Sequence, residues 1–274
     1  MIINSVIKGG SNSGSVKFSY SGLCAINGNI LRLLDSGTFV LLENDAVVDI
    51  FLCGAGGGGG KGVGQSTSSN KRASGGGGGG GYTWSQLSVS ISAGLQCTVQ
   101  IGAGGATLTA GGATTFVVND NFSLSAEGGL SGSSGSTSSY YGGAGGNGGS
   151  GGGAGAYWSG TSGTNAMSTP QEGATDGASG LPTTEAAYQK NGGIGQGTTT
   201  RAFGEADGEL FATGGSGGSF DNARASDALP NTGNGGDGGN TNNAGVSANI
   251  VGGSGGSGIV MLRFPEGAEL AQVA

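Results

Sequence analysis

The sequence predicts an all-β protein, a jelly-roll-like β-sandwich framework with an inserted bundle of polyglycine II helices. Three observations predict it. Apolar and polar residues alternate with a period of two in short segments, as at residues 16–20, 87–91 and 97–101, the pattern of strands with one buried face. Glycine supplies 68 of 274 residues, against a usual share of roughly 7%, and it comes in consecutive runs. No amphipathic helical pattern stands out, and Glu185-Ala186-Ala187-Tyr188-Gln189-Lys190 suits about one turn only.

Residues 1–53 read as the N-terminal β segment of the framework. Val16, Phe18 and Tyr20 alternate with Lys17 and Ser19. Residues 30–34 and 38–42 are two further strands, and Asp35-Ser36-Gly37 between them suits a tight hairpin. Residues 47–53 are almost continuously apolar, which predicts a strand covered on both faces. Residues 54–81 form the first glycine tract, with a polar stretch containing Lys61, Lys71 and Arg72 before the unbroken glycines Gly75 to Gly81.

Framework strands return over 82–126. Leu87, Val89 and Ile91 alternate with serines, and Cys97, Val99 and Ile101 alternate with Thr98 and Gln100, with Ala93-Gly94 as the turn. Residues 114–118 and 122–125 are joined by Asn119-Asp120-Asn121. Tyr82 and Trp84, where the first tract rejoins a strand, are expected in the core. Residues 127–255 are the long glycine-rich insert, interrupted by Tyr140-Tyr141, Tyr157-Trp158, residues 181–188, Arg201-Ala202-Phe203, Leu210-Phe211 and Phe220. Residues 256–274 supply a closing strand, ended by Pro265, and a C-terminal tail.

Four structures compete for the glycine tracts. Collagen needs glycine at every third position with abundant proline, and only 4 prolines are present. A flexible Gly/Ser linker fits the composition, but these tracts lie between strands that must meet, and the longer one carries aromatic residues. A nucleotide loop is matched formally by Gly54-Ala55-Gly56-Gly57-Gly58-Gly59 after a strand. The dinucleotide fold also needs a helix and an acidic residue about 20 positions on, and no acid occurs between Asp49 and Asp120. The phosphate loop fails as well, because Ala55 takes the first glycine position and Gly62 the Ser/Thr position. Packed polyglycine II is the reading adopted. Its extended helices have three residues per turn and no internal hydrogen bonds, so buried amides must pair between neighbours. Close approach on every side demands residues without Cβ, which explains consecutive glycines.

Composition limits the chemistry. The formal charge of −7 repels phosphate backbones and argues against nucleic-acid binding. The absence of histidine removes Ser–His–Asp and Cys–His systems and the commonest zinc ligand. Cys24, Cys53 and Cys97 have no metal spacing and read as small buried hydrophobes, with a Cys53–Cys97 bridge left open. No cofactor is expected, and no metal site. Glu205, Asp207 and Glu209 would share one face of a strand, either as a cation or glycosidase pair or, more simply, as a solvated face or turn. Gly235-Gly236-Asp237-Gly238-Gly239-Asn240 is one imperfect copy of a calcium-binding turn. The first residues lack the basic leader of a signal peptide, and no apolar stretch approaches the ~20 residues needed to span a bilayer, so no membrane insertion and synthesis in the cytoplasm are expected.

Several segments together resemble the glycine-rich tail proteins of phages and prophages of Gram-positive gut bacteria. They are Val48-Asp49-Ile50-Phe51-Leu52-Cys53-Gly54-Ala55-Gly56-Gly57, Gly81-Tyr82-Thr83, Val99-Gln100-Ile101-Gly102-Ala103-Gly104-Gly105, Gly195-Gln196-Gly197-Thr198-Thr199-Thr200-Arg201-Ala202-Phe203-Gly204-Glu205 and Gly255-Gly256-Ser257-Gly258-Ile259-Val260-Met261-Leu262-Arg263. The resemblance implies a non-enzymatic tail-fibre or tail-tip adhesin on the virion, made in the host cytoplasm and assembled with other tail proteins as a homotrimer. Its partner would be a bacterial cell-surface glycan or protein. Tyr140, Tyr141, Tyr157 and Trp158 are the candidate receptor-binding residues, because bulky rings cannot enter a close-packed glycine bundle and exposed rings make good contact surfaces. The alternative for these rings is to plug the bundle end against its own loops. The alternatives for the protein are a purely structural tail component and a glycan-degrading tail enzyme.

Overall fold

The structure, a computed structural model, describes residues 15–64, 72–137, 142–158, 192–195, 200–220, 225–241 and 250–273. The alternating segments pair into two facing sheets. The first holds β1 (Ser15–Tyr20), β4 (Gly37–Leu41), β9 (Gln96–Gln100), β10 (Thr114–Asn119), β11 (Phe122–Ala126) and β14 (Glu269–Gln272) in the order β11-β10-β9-β4-β1-β14. The second holds β2 (Cys24–Asn27), β3 (Ile30–Leu33), β5 (Ala46–Cys53), β8 (Thr83–Ile91) and β13 (Ile259–Arg263) in the order β2-β3-β13-β5-β8. Only β14 runs parallel to its neighbour, β1, within these two sheets.

Inward residues of both sheets make the core. Phe18, Phe39, Leu41 and Phe116 from one sheet meet Leu31, Ile50, Leu52, Ile91 and Leu262 from the other, all at 0% exposure. Each such side chain contributes about 1.5–3 kcal/mol on burial. From Ile50 to Cys53 β5 is buried on both faces, as its almost continuous apolar run predicts. Val48, Ile50 and Leu52 face the sandwich core, while Phe51 and Cys53 join Ile259 and Met261 of β13 beneath Phe203 and Phe211. Residues 200–212 thus form a flap over the outer face of the second sheet.

Two expected turns do different work. Residues 30–34 and 38–42 do not make a hairpin, because β3 and β4 belong to opposite sheets. The Asp35–Gly37 segment carries the chain across the sandwich, and the Tyr20 hydroxyl donates to the Asp35 carbonyl there. Ala93-Gly94 likewise crosses from β8 to β9, with Gly94 at φ +76. Crossing lets both strands point apolar residues into one core from opposite sides. β10 and β11 do form the expected hairpin, in which the Asn121 N–H donates to Asn119 Oδ1 at 2.9 Å.

The serine alternation in β8 is interrupted. A register shift opposite Val48 and Ile50 coincides with Ser88 at φ +58. Asp49 Oδ1 accepts the Ser88 N–H at 2.9 Å, so the bulge is capped and Leu87 turns outward at 53% exposure. Trp84 is 51% exposed rather than in the core, because β8 is an edge strand, and Tyr82 is half-buried.

The glycine tracts form the second layer. Along the chain, runs pointing away from the sandwich (54–62, 102–106, 127–135, 150–156, 212–219, 233–241) alternate with returning runs (74–82, 109–113, 142–149, 192–195, 226–229, 250–258). Residues 102–113, within the stretch expected to be framework, also belong to this bundle: Gly58 N–H donates to Thr109 O and Gly105 N–H to Gly56 O, both at 2.9 Å. The run 74–82 is central. Its N–H groups donate in a repeating cycle of three, to 150–156 from residues 74, 77 and 80, to 233–239 from 75, 78 and 81, and to 127–133 from 76, 79 and 82. Its carbonyls accept from 54–60, 142–149 and 215–218. Six neighbours surround it, and the three-residue cycle is that of polyglycine II.

A Cβ built on any residue from Gly75 to Gly81 would lie 1.9–2.2 Å from a carbonyl oxygen of a neighbouring run. At Gly78 that oxygen belongs to Gly57, at 2.0 Å. Gly78→Val is expected to destabilise the protein by about 3 kcal/mol or more, a fall in Tm of roughly 6–12 °C by calorimetry. Leu130→Ala, at an exposed position, should stay within about 0.5 kcal/mol of wild type.

Candidate functional site

The end of the bundle remote from the sandwich is the candidate site, and the runs build it. Gly62 bridges Ile250, Gly135 N–H donates to Lys61 O at 2.9 Å, and Ser74 N–H donates to Ala156 O at 2.8 Å. Ser74 Oγ donates to Ser219 O at 3.1 Å and lies 3.4 Å from Thr241 Oγ1. These contacts bring the outer ends of 54–62, 74–82, 127–135, 150–156, 212–219, 233–241 and 250–258 together. A small sheet tops them, with β7 (Arg72–Ala73) between β6 (Val63–Gly64) and β12 (Tyr157–Trp158).

The candidate aromatic residues divide. Tyr140 and Tyr141 lie outside the described residues. Tyr157 pairs with Ala73 across β12 and β7 and is buried, at 4% exposure. It is packed into the top of the bundle rather than presented on a loop, because β12 is held against β7. Trp158 pairs with Arg72 through the backbone. The island at 181–188 also lies outside the described residues. The islands at 201–203 and 210–211 are at the opposite end, in the flap.

The acidic series is in the flap too. Glu205, Asp207 and Glu209 do not form a strand. They sit in the turn closed by the Arg201–Leu210 bridge. Glu209 pairs with Arg32, and Glu205 pairs with Arg263 at 2.6 Å. Arg263 also pairs with Asp49 at 2.8 Å and stacks over Phe203, with Cζ 4.3 Å from the ring centroid. The two glutamates thus bind separate arginines and clamp the flap to the second sheet, and no group of metal-ligating residues is found among the described residues. Asp237, in the calcium-like turn, instead accepts the Ser216 N–H at 2.8 Å. The three cysteines are free, with Cys53 and Cys97 buried. Burial pushes the Cys97 thiol up to about 11 and Cys53 further in the same direction, so both stay protonated and inert.

A periodic signal in the sequence marks the peripheral runs. Central stretches are glycine throughout, whereas outer runs read Gly-Gly-X, as in Thr213-Gly214-Gly215-Ser216-Gly217-Gly218-Ser219 and Val251-Gly252-Gly253-Ser254-Gly255-Gly256-Ser257. With three residues per turn, one position in three points away from the lattice, and only that position admits a side chain.

A β-sandwich that anchors a lattice of polyglycine runs defines a class, the proteins built on a glycine-rich domain. The chain matches the family model described as "Glycine-rich domain" over residues 34–265, and it belongs to that family. The match begins after β3 and ends beyond β13, so it takes in the whole described bundle. No curated protein matches the chain in sequence.

The clamp carries a pH signature. Burial alone raises the Asp49 carboxyl, but the Ser88 N–H and the Arg263 guanidinium outweigh it and hold it below its ordinary 3.8. A carboxyl depressed on folding stabilises the fold fully above its unfolded pKa, and that contribution disappears as pH falls through the folded value. Asp49→Asn should therefore lower Tm at pH 7, and the difference from wild type should shrink as the pH drops below 3.8. Melting curves across that range check it.

Proposed function

We propose that this protein is a non-enzymatic adhesin of a phage tail fibre or tail tip, carried on the virion, whose bundle contacts the bacterial cell surface with its far end. One observation supports this most. The lattice returns the chain to the far end again and again, where the described runs break off at 64, 137 and 158 and resume at 72, 142 and 192, and the sequence across these breaks carries Tyr140, Tyr141 and Trp158 beside the buried Tyr157. Near the sandwich, connections are framework strands, the flap or tight turns. A stiff stalk with its varied side chains at one tip suits contact with a large surface, since rigid presentation lowers the ordering cost of binding. Aromatic rings on such a tip stack on sugars and fill protein pockets.

A purely structural tail component is the second reading, favoured by the burial of Tyr157, which is the plug role for that ring. The two readings separate by adsorption. Purified protein should be pulled down by intact host cells, and Tyr141→Ala with Trp158→Ala should reduce the bound fraction by about tenfold or more, the loss expected for hot-spot aromatics. No retention of the wild-type chain on a panel of Gram-positive hosts would favour the structural role. Release of sugar from host envelope would instead point to a glycan-degrading enzyme.

A further inference from the structure

The run 212–219 uses its three hydrogen-bonding directions unequally. Gly215 and Gly218 donate to Gly78 O and Gly75 O of the central run, and Gly217 donates to Gly193 O, all at 2.8 Å. In the third direction no main-chain carbonyl is used. Thr213, Ser216 and Ser219 N–H groups donate to the side-chain Oδ1 atoms of Asn234, Asp237 and Asn240, at 2.8, 2.8 and 2.7 Å. Both sets recur every third residue, the period of the helix. The pairing is reciprocal, because Gly235, Gly238 and Thr241 donate to the carbonyls of Thr213, Ser216 and Ser219.

Beside this ladder runs an open groove of about 250 Å³, lined by Thr213, Gly215, Leu229, Asn234 and the carboxylates Asp227 and Asp237. It lies along an outer side of the lattice, beside 212–219, 226–229 and 233–241. A row of uncapped N–H groups there would resemble the open edge of a β-sheet, which templates pairing with another chain unless it is blocked.

We infer that Asn234 and Asp237, with the buried Asn240 continuing the ladder beyond the groove, form an edge cap that stops the lattice from taking up an extended backbone from a second copy of this chain. The side-chain oxygens occupy the donors that such a backbone would need. The groove carboxylates add to the block, since a second copy approaching by the same face brings the same two charges, and like charges set against each other disfavour association. This inference rests on bundle geometry alone and is independent of any receptor.

The test uses the full chain carrying Asn234→Gly, Asp237→Gly and Asn240→Gly, which removes the cap while keeping residues the lattice accepts. Sedimentation is compared with wild type over a concentration series. Wild type should keep one mass throughout, and the triple variant should rise with concentration to at least about double it, the minimum for pairing of copies. A folded triple variant, by circular dichroism, whose mass stays that of wild type overturns the proposal. Should the triple variant not fold, Asp237→Gly alone is measured by hydrogen exchange. Its Ser216 amide should exchange about tenfold faster than wild type, the loss of one hydrogen bond, and unchanged exchange there overturns the cap.

Discussion

Main-chain amides meeting main-chain carbonyls across side-chain-free runs are the interaction on which this protein depends. A buried N–H without a partner is costly, and a polyglycine II helix has no partner within itself. Each run therefore stands only because its neighbours stand. Run 74–82 draws those neighbours from residues as distant as 54 and 239, so no part of the bundle is stable alone. Glycine makes the contact possible and also makes it entropically expensive. The sandwich, with its aromatic and aliphatic core, is where ordinary burial supplies the compensating free energy.

The junction between the two layers is built as firmly as either. Cys53 ends β5 and Gly54 begins a run, with no linker between them. Asn231 Nδ2 donates to Leu34 O at 2.7 Å and Gly258 O at 3.0 Å, tying the turn between two runs to the residues that follow β3 and precede β13. The flap adds Phe203 and Phe211 over Phe51, with ring centroids 5.8 and 5.2 Å away. A push on the far end is thus transmitted to the framework through packed backbone rather than through a hinge.

Much of this was legible in the sequence, and the gaps have physical causes. The double burial of β5 is readable because six of the seven residues from Val47 to Cys53 are apolar, with Asp49 alone interrupting them. Unbroken glycine at 75–81 pointed to a site where no side chain fits on any side. Strand partners were not readable: Asp35-Ser36-Gly37 has turn chemistry whether the chain reverses in one sheet or crosses to the other. β2 and β14 escaped notice because their exposed edge positions lack alternation. Trp84 misled, since size suggests burial while an edge strand leaves the ring half in water. At the far end, ring size leaves Tyr157 either as a contact surface or as a plug of the bundle end, and a two-residue strand is enough to bury it.

The threefold cycle has a consequence for how such proteins diverge. Lengthening one run by a single residue would rotate every later donor toward the wrong neighbour, so the shaft can change length only in steps of a full turn, and only if adjoining runs change with it. A connection between two run ends is bound by no such count, since doubling the length of a flexible loop costs only about 0.6 kcal/mol in closure entropy. Length is therefore constrained in the runs by the geometry of the lattice itself, and far less between them.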